Sequence, residues 1–245
     1  MELPLIGYGT YRLKNPYTNI LYALRLGYRS IDTASLYQNE VEVGKAIKDS
    51  GIPREEIFLT TKVKLADLLK GEEGIRSVVK LSLERLNTYI DLLLLHVPTN
   101  NLRENWQTLI SLQSSQVRRI GVSNFDIKHL EQLSGEVPYA NQIELSPFLP
   151  RKELVSYCQK LGIKIIAHSS LTKGRKLNDQ RLIVLSQNKG TTPAQLLLSW
   201  AVSQGFAVIP MSSNKDHIKE NLIIPLDLQM ETFDEEYATH PKLLK

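Results

Sequence analysis

The chain has 245 residues, 42% of them apolar and 23% charged, which suits one large α/β domain with a sizeable core and excludes a disordered chain. Thirty Lys and Arg against 26 Asp and Glu leave a net charge of +4 with no long basic run, a weak case for nucleic acid, and the single Cys158 excludes an intramolecular disulfide. No stretch reaches the roughly 18 consecutive apolar residues of a membrane span, no basic and apolar leader opens the chain, and five histidines with one cysteine offer no metal cluster. A cytoplasmic monomer without membrane or nucleic-acid partners, and without a metal, is the expectation.

Short apolar runs alternate with amphipathic stretches along the whole chain. Residues 5–10 form a first candidate strand, and Pro16 and Gly27 then bracket a helix. A strand at 30–32 is followed by a helix at 40–49, closed by Gly51 and Pro53. Strands at 57–62, 90–96, 119–123, 140–144 and 164–168 are separated by helical patterns at 74–86, 102–113, 126–133 and 151–161. An extra helix at 178–188 precedes the best-marked helix start, Thr192, where Pro193 takes the first helical position and Gln195 completes a capping-box pattern. A last strand is expected at 207–210. Strands alternating with helices predict a parallel sheet, and eight strands are the number that closes a barrel, so the fold class is α/β, a single (β/α)8 barrel of the TIM type over residues 1–245. An open doubly wound sheet is the competitor, but no G-x-G-x-x-G follows a strand, and Gly7-Tyr8-Gly9-Thr10 lacks the third glycine.

In a βα barrel the chemistry sits at the C-terminal ends of the strands. There the sequence places Asp32, Lys62, His96, Ser123 with Asn124, Gln142 and His168. Each has an ordinary reading: Asp32 as a turn cap, Lys62 as a solvated strand-end charge, Ser123 and Asn124 as helix-start residues. A barrel nevertheless brings these distant positions into one mouth. Such a set suits proton transfer coupled to a change of charge. Tyr37, just after the second strand, becomes a useful acid if a cation such as Lys62, held by Asp32, stabilises its phenolate, while His96 donates to a carbonyl oxygen. The alternative for Tyr37 is an aromatic packed on the barrel rim.

The run Asp32-Thr33-Ala34-Ser35-Leu36-Tyr37-Gln38-Asn39-Glu40 resembles the signature of the aldo-keto reductases. So do Thr60-Thr61-Lys62-Val63, Leu94-Leu95-His96-Val97-Pro98, Ile120-Gly121-Val122-Ser123-Asn124-Phe125, Asn141-Gln142-Ile143-Glu144 and the stretch from Ile209-Pro210 to Asn221, in order from about Leu3 to Leu228. The resemblance implies NAD(P)H-dependent reduction of aldehydes or ketones, with a small-molecule carbonyl as substrate. It assigns Asp32, Tyr37, Lys62 and His96 as the catalytic tetrad, Tyr37 giving the proton, Lys62 with Asp32 lowering its pKa and His96 orienting the carbonyl. It places Gly9 and Thr10 beside the cofactor, with Asp32 close by, Ser123, Asn124 and Gln142 on the nicotinamide carboxamide, and Ser169 and Leu171 near the pyrophosphate. Tyr11 and Val97 join Tyr37 and His96 on the substrate side, with Tyr8, Trp106 and Phe125 as further candidates for the mouth.

Several positions depart from the family's pattern. His168 stands where a tyrosine usually stacks on the nicotinamide, and a stacked imidazole or a merely hydrogen-bonded strand-end residue are both open. In Ile209-Pro210-Met211-Ser212, Met211 replaces a lysine, and His217 replaces an arginine, both of which grip the 2′-phosphate. Losing two charge-assisted contacts weakens discrimination by roughly a hundredfold or more unless neighbours substitute. NADP(H) is therefore expected with NAD(H) possible, and Ser212, Asn214, Lys215, Lys173 and Lys176 are the candidate substitutes. Glu220 and Asn221 match the adenine-contacting pair. The N-terminal hairpin is reduced and the tail after Leu228 is short, features that resemble the prokaryotic diketogluconate and glyoxal reductases. Val97, at a place where the family often has a tryptophan, removes an aromatic wall and points to small reactive carbonyls. A catalytically weak NADP-binding sensor or scaffold on the same barrel is the alternative; an isomerase or aldolase with Lys62 as Schiff-base former is a third reading.

Overall fold

A computed structural model describes residues 1–225 and 230–233. The expected shortness of the tail beyond Leu228 falls on residues outside the described ones. Eight parallel strands run in sequence order across one sheet: β1 (Tyr8–Gly9), β2 (Ser30–Asp32), β3 (Phe58–Val63), β4 (Leu92–Leu95), β5 (Ile120–Ser123), β6 (Ala140–Glu144), β7 (Lys164–His168) and β8 (Ala207–Val208). The two edges also meet. Ile6 bridges Val208, Gly7 donates its N–H to the Val208 carbonyl (2.8 Å), and Gly9 donates to Pro210 (3.1 Å), consistent with a (β/α)8 barrel. A Cβ at Gly9 would lie 2.6 Å from the Ile209 carbonyl oxygen, so this seam needs glycine.

The helices are α1 (Pro16–Leu26), α2 (Glu40–Asp49), α3 (Leu65–Leu68), α4 (Gly71–Leu86), α5 (Leu102–Leu112), α6 (Ile127–Leu130), α7 (Lys152–Lys160), α8 (Gln180–Asn188), α9 (Pro193–Val202) and α10 (Lys215–Leu222). The capping box expected at Thr192 is present: its hydroxyl accepts from the Gln195 N–H at 3.2 Å, and the Gln195 side chain accepts from the Thr192 N–H at 3.3 Å. The first and last strands are shorter than the sequence runs 5–10 and 207–210, because each pairs regularly over only two residues before its backbone turns to the seam. Helix α6 stops at Leu130 rather than 133, and α3 and α10 were not expected at all. Among the described residues no helix is long and apolar enough to cross a membrane.

Strand alternation divides the core. Leu92 and Leu94 join Phe58, Ala140, Ile166 and Ala207 in a small cluster on one face of the sheet, with Leu3 packed against it. Leu93, Leu95, Leu59, Ile165, Ala167 and Val208 belong to the larger cluster shared with the helices. The small cluster is the inner face, and its continuation along each strand defines the site.

Candidate active site

Side chains alternate with period two, so the residues that follow the inner cluster on the same face can be counted. Lys62 lies four positions past Phe58, His96 two past Leu94, Gln142 two past Ala140, and His168 two past Ile166. All four therefore project inward at the C-terminal end of the sheet, where Asp32 and Ser123 end β2 and β5. The barrel converts a scattered list into one constellation.

Lys62 is 1% exposed, which overturns its reading as a solvated strand-end charge. Its Nζ is ion-paired with Asp32 Oδ1 and donates to the Thr33 carbonyl at 2.8 Å, while Gln142 Nε2 donates to Asp32 Oδ2 at 2.7 Å. A charge this buried survives only with such a complete set of partners. The same ties argue against Lys62 as a Schiff-base nucleophile, since it does not line the cavity described below. Asn124 adopts a left-handed backbone (φ 62°) and spends its amide on neighbours: Nδ2 donates to the His96 carbonyl and to Ser123 Oγ, both at 3.1 Å. Its Oδ1 lies 2.8 Å from His168 Nε2, and Ser123 Oγ donates to the Gln142 carbonyl at 2.9 Å.

These strand ends floor a cavity of about 380 Å³. Its lining includes Gly9, Thr10, Asp32, Ser123, Asn124, Gln142, His168, Ser169, Leu171, Pro210 and Met211, together with Tyr11, Tyr37, His96 and Val97. The Tyr37 ring stands 5.9 Å from the His96 ring, edge-on, and 5.0 Å from Tyr11, with Lys62 Nζ 5.2 Å from its centroid. No described residue hydrogen-bonds the Tyr37 hydroxyl or the His96 ring. Burial holds the Tyr37 hydroxyl well above its usual pKa, and the Asp32 carboxylate adds to the effect, so the phenol keeps its proton at neutral pH. Burial and the Asp32 carboxylate outweigh the lowering expected from Lys62, whose ammonium is ion-paired with Asp32. Burial lowers Lys62 itself, against the opposing pull of Asp32. His96 is pushed down to about 3, by burial first and by Lys62 second, so its imidazole is neutral and carries one N–H to donate.

The remaining expected residues lie elsewhere. Ser212, His217, Glu220 and Asn221 do not line the cavity but occupy the loop and helix α10 beyond Met211. There Asn214 caps α10 by accepting from the Asp216 (2.8 Å) and His217 (3.3 Å) N–H groups, Asn221 is buried, and Glu220 accepts from the Thr192 hydroxyl. Lys215 and Lys176 rest over the rings of Tyr22 and Phe148, whereas Lys173 does line the cavity. Tyr8, Trp106 and Phe125 are not at the mouth. All three are buried, Tyr8 donating to the Ser212 carbonyl and Trp106 to that of Glu136. Sequence reasoning missed Leu36 and Leu65, which line the cavity while 52% and 47% exposed. The signal was available in Leu36, an apolar side chain inside a polar signature and directly before Tyr37. Among the described residues no group of three or more His, Cys, Asp or Glu side chains is placed to hold a metal.

Comparison with known proteins identifies the family. A model of the Aldo/keto reductase family matches residues 5–235. The chain is 38% identical over 234 residues to methylglyoxal reductase DkgB of Escherichia coli O157:H7, covering 91% of this chain and 87% of that relative. It is 38% identical over 244 residues to glyoxal reductase of Bacillus subtilis (strain 168), covering 96% and 88%. Among solved structures, an aldo-keto reductase from a Medee basin deep-sea metagenome library is 34% identical with a TM-score of 0.88, covering 99% of this chain and 92% of that one. A variant of Gox0644 in complex with NADPH is 36% identical with a TM-score of 0.82, covering 90% and 83%. The chain belongs to the aldo/keto reductase family and is an NAD(P)H-dependent carbonyl reductase.

Proposed function

We propose that this chain reduces small reactive aldehydes and dicarbonyls, with NADP(H) as its main cofactor and NAD(H) also accepted, on a single (β/α)8 barrel. One observation carries the reading. In a cavity at the strand ends, a protonated phenol and a neutral imidazole stand side by side, and no described residue hydrogen-bonds either of them. A substrate carbonyl oxygen is the group that satisfies both.

The residues around the cavity fit a nicotinamide. Gln142 gives its amide nitrogen to Asp32 and keeps its carbonyl oxygen without a partner among the described residues, as an acceptor for a carboxamide. Gly9 and Thr10 present backbone beside it, Ser169 and Leu171 lie toward the pyrophosphate with Lys173, and the loop of Pro210, Met211 and Ser212 leads to His217, Glu220 and Asn221 on α10. A reduced nicotinamide supplies the hydride when bound. Tyr37 then donates its proton to the developing alkoxide, His96 orients the oxygen through its N–H, and the Lys62 ammonium favours the phenolate left behind, with Asp32 holding Lys62 in place.

The names of the two relatives, a methylglyoxal and a glyoxal reductase, support the substrate class. So does the absence of an aromatic ring at Val97, although Leu36 and Leu65 supply apolar wall. With Met211 and His217 at the 2′-phosphate positions, preference for NADPH over NADH is expected to be weaker than is usual in the family, by roughly a hundredfold or more unless neighbours substitute. Oxidation of NADPH followed with methylglyoxal, glyoxal, an aromatic aldehyde and a steroid ketone, and repeated with NADH, tests the reading. Turnover of the small carbonyls with both cofactors is expected. NADPH binding without turnover of any carbonyl would instead favour the sensor or scaffold.

A further inference from the structure

His168 is joined to Asn124 edge to edge through a ring nitrogen, and this bond extends across three strand ends. His168 closes β7, Asn124 follows β5, and the Asn124 amide reaches the backbone carbonyl of His96 beyond β4. The orientation of the Asn124 amide is settled by its partners. Nδ2 donates to a carbonyl and to Ser123 Oγ, so Oδ1 faces His168, and an amide oxygen can only accept. His168 Nε2 therefore carries a hydrogen and donates it, and Nδ1, 3.2 Å from Ser169 Oγ, is left to accept from that hydroxyl. Asn124 and Ser169 both sit in left-handed backbone (φ 62° and 54°), a conformation that side chains other than glycine hold only when neighbours fix them.

We infer that His168 acts as a positioning residue: its Nε2–H fixes the Asn124 amide, and through it the carboxamide end of the nicotinamide subsite and the backbone at His96. The inference rests on the cofactor reading above, and it replaces ring stacking with an in-plane hydrogen bond as the main contribution of this side chain. A fixed amide pays its ordering cost before the cofactor arrives; a free one pays it on binding. An oxygen with two lone pairs also lets Asn124 accept from His168 and from a carboxamide at once.

Three variants separate the hydrogen bond from the ring. His168→Phe keeps a flat ring and removes the donor, His168→Gln keeps a donor nitrogen near the place of Nε2 and removes the ring, and His168→Ala removes both. NADPH dissociation constants, read from quenching of intrinsic fluorescence, are the primary measurement, with thermal melting to show that each variant is folded. The bond predicts that Phe and Ala weaken NADPH by roughly tenfold, within the range for losing one partner of a buried pair, while Gln stays within about threefold of the parent. In steady-state assays the Phe variant should also lose kcat, because the His96 backbone is no longer tied. A Phe variant that binds NADPH as well as the parent would overturn the inference in favour of stacking, and so would equal weakening by Phe and Gln. A parent chain that binds neither NADPH nor NADH would defeat the cofactor reading itself.

Discussion

At the residue scale, the burial of His96 gives the protein an acid-sensitive point. Its folded-state pKa is lowered to about 3, against 6.5 for an exposed imidazole. Between those values the unfolded chain binds a proton that the folded chain refuses. The contribution is therefore fully present above about pH 6.5 and is lost as pH falls toward 3, at up to about 1.4 kcal/mol per pH unit. Urea unfolding from pH 7 to 4 is expected to show a shallower fall for His96→Gln than for the parent; parallel slopes would mean that the imidazole titrates normally in the fold. The inward-facing set of Asp32, Lys62, His96, Gln142 and His168 was legible in the sequence because strand ends can be counted with period two. The neighbours of each side chain were not legible. The pairing of His168 with Asn124, the commitment of Lys62 to Asp32 and the burial of Tyr8, Trp106 and Phe125 depend on which way a ring or amine turns once the sheet curls, and no local pattern encodes that.

At the scale of elements, the sequence marked most helices through their ends, and the structure kept those marks: Pro16 opens α1 and Gly27 closes it in a left-handed conformation (φ 117°). It missed α10 because Lys215–Leu222 carries only Ile218 and Leu222 as apolar anchors in an otherwise polar stretch; its start is fixed by the Asn214 cap. It missed α3 because four residues are too few to show a period. Another feature invisible to pattern is the contact of α2 with the end of α4. A Cβ built on Gly44 would stand 2.2 Å from the Leu86 carbonyl oxygen and 2.9 Å from its Cα, so the helix must move away from backbone rather than from a flexible side chain. Helix α2 follows the turn that carries Tyr37, so the strain falls close to the site. Gly44→Ala is expected to cost about 1–3 kcal/mol despite the better helix propensity of alanine. An unchanged or raised melting temperature would show that α2 and α4 separate without penalty.

At the scale of the whole molecule, a ring of eight strand ends brings a protonated phenol, a buried ion pair and a neutral imidazole to one place, and the rest of the fold keeps them there. The inner face, apolar from Phe58 through Ile166, seals the lower half, so the polar residues above it meet water and substrate from one side only. The proposed function separates two roles that a single substitution can test, cofactor binding along the β5 to α10 side and proton donation from Tyr37. The most direct measurement is to compare Tyr37→Phe with the parent for reduction of methylglyoxal by NADPH, measuring the NADPH dissociation constant on the same samples. The account predicts a fall of at least about a hundredfold in kcat/KM with the dissociation constant unchanged within about threefold, the range lost with a general acid. Retention of more than about a tenth of the parent activity would contradict it, because the proton would then reach the alkoxide by a path that does not use the phenol.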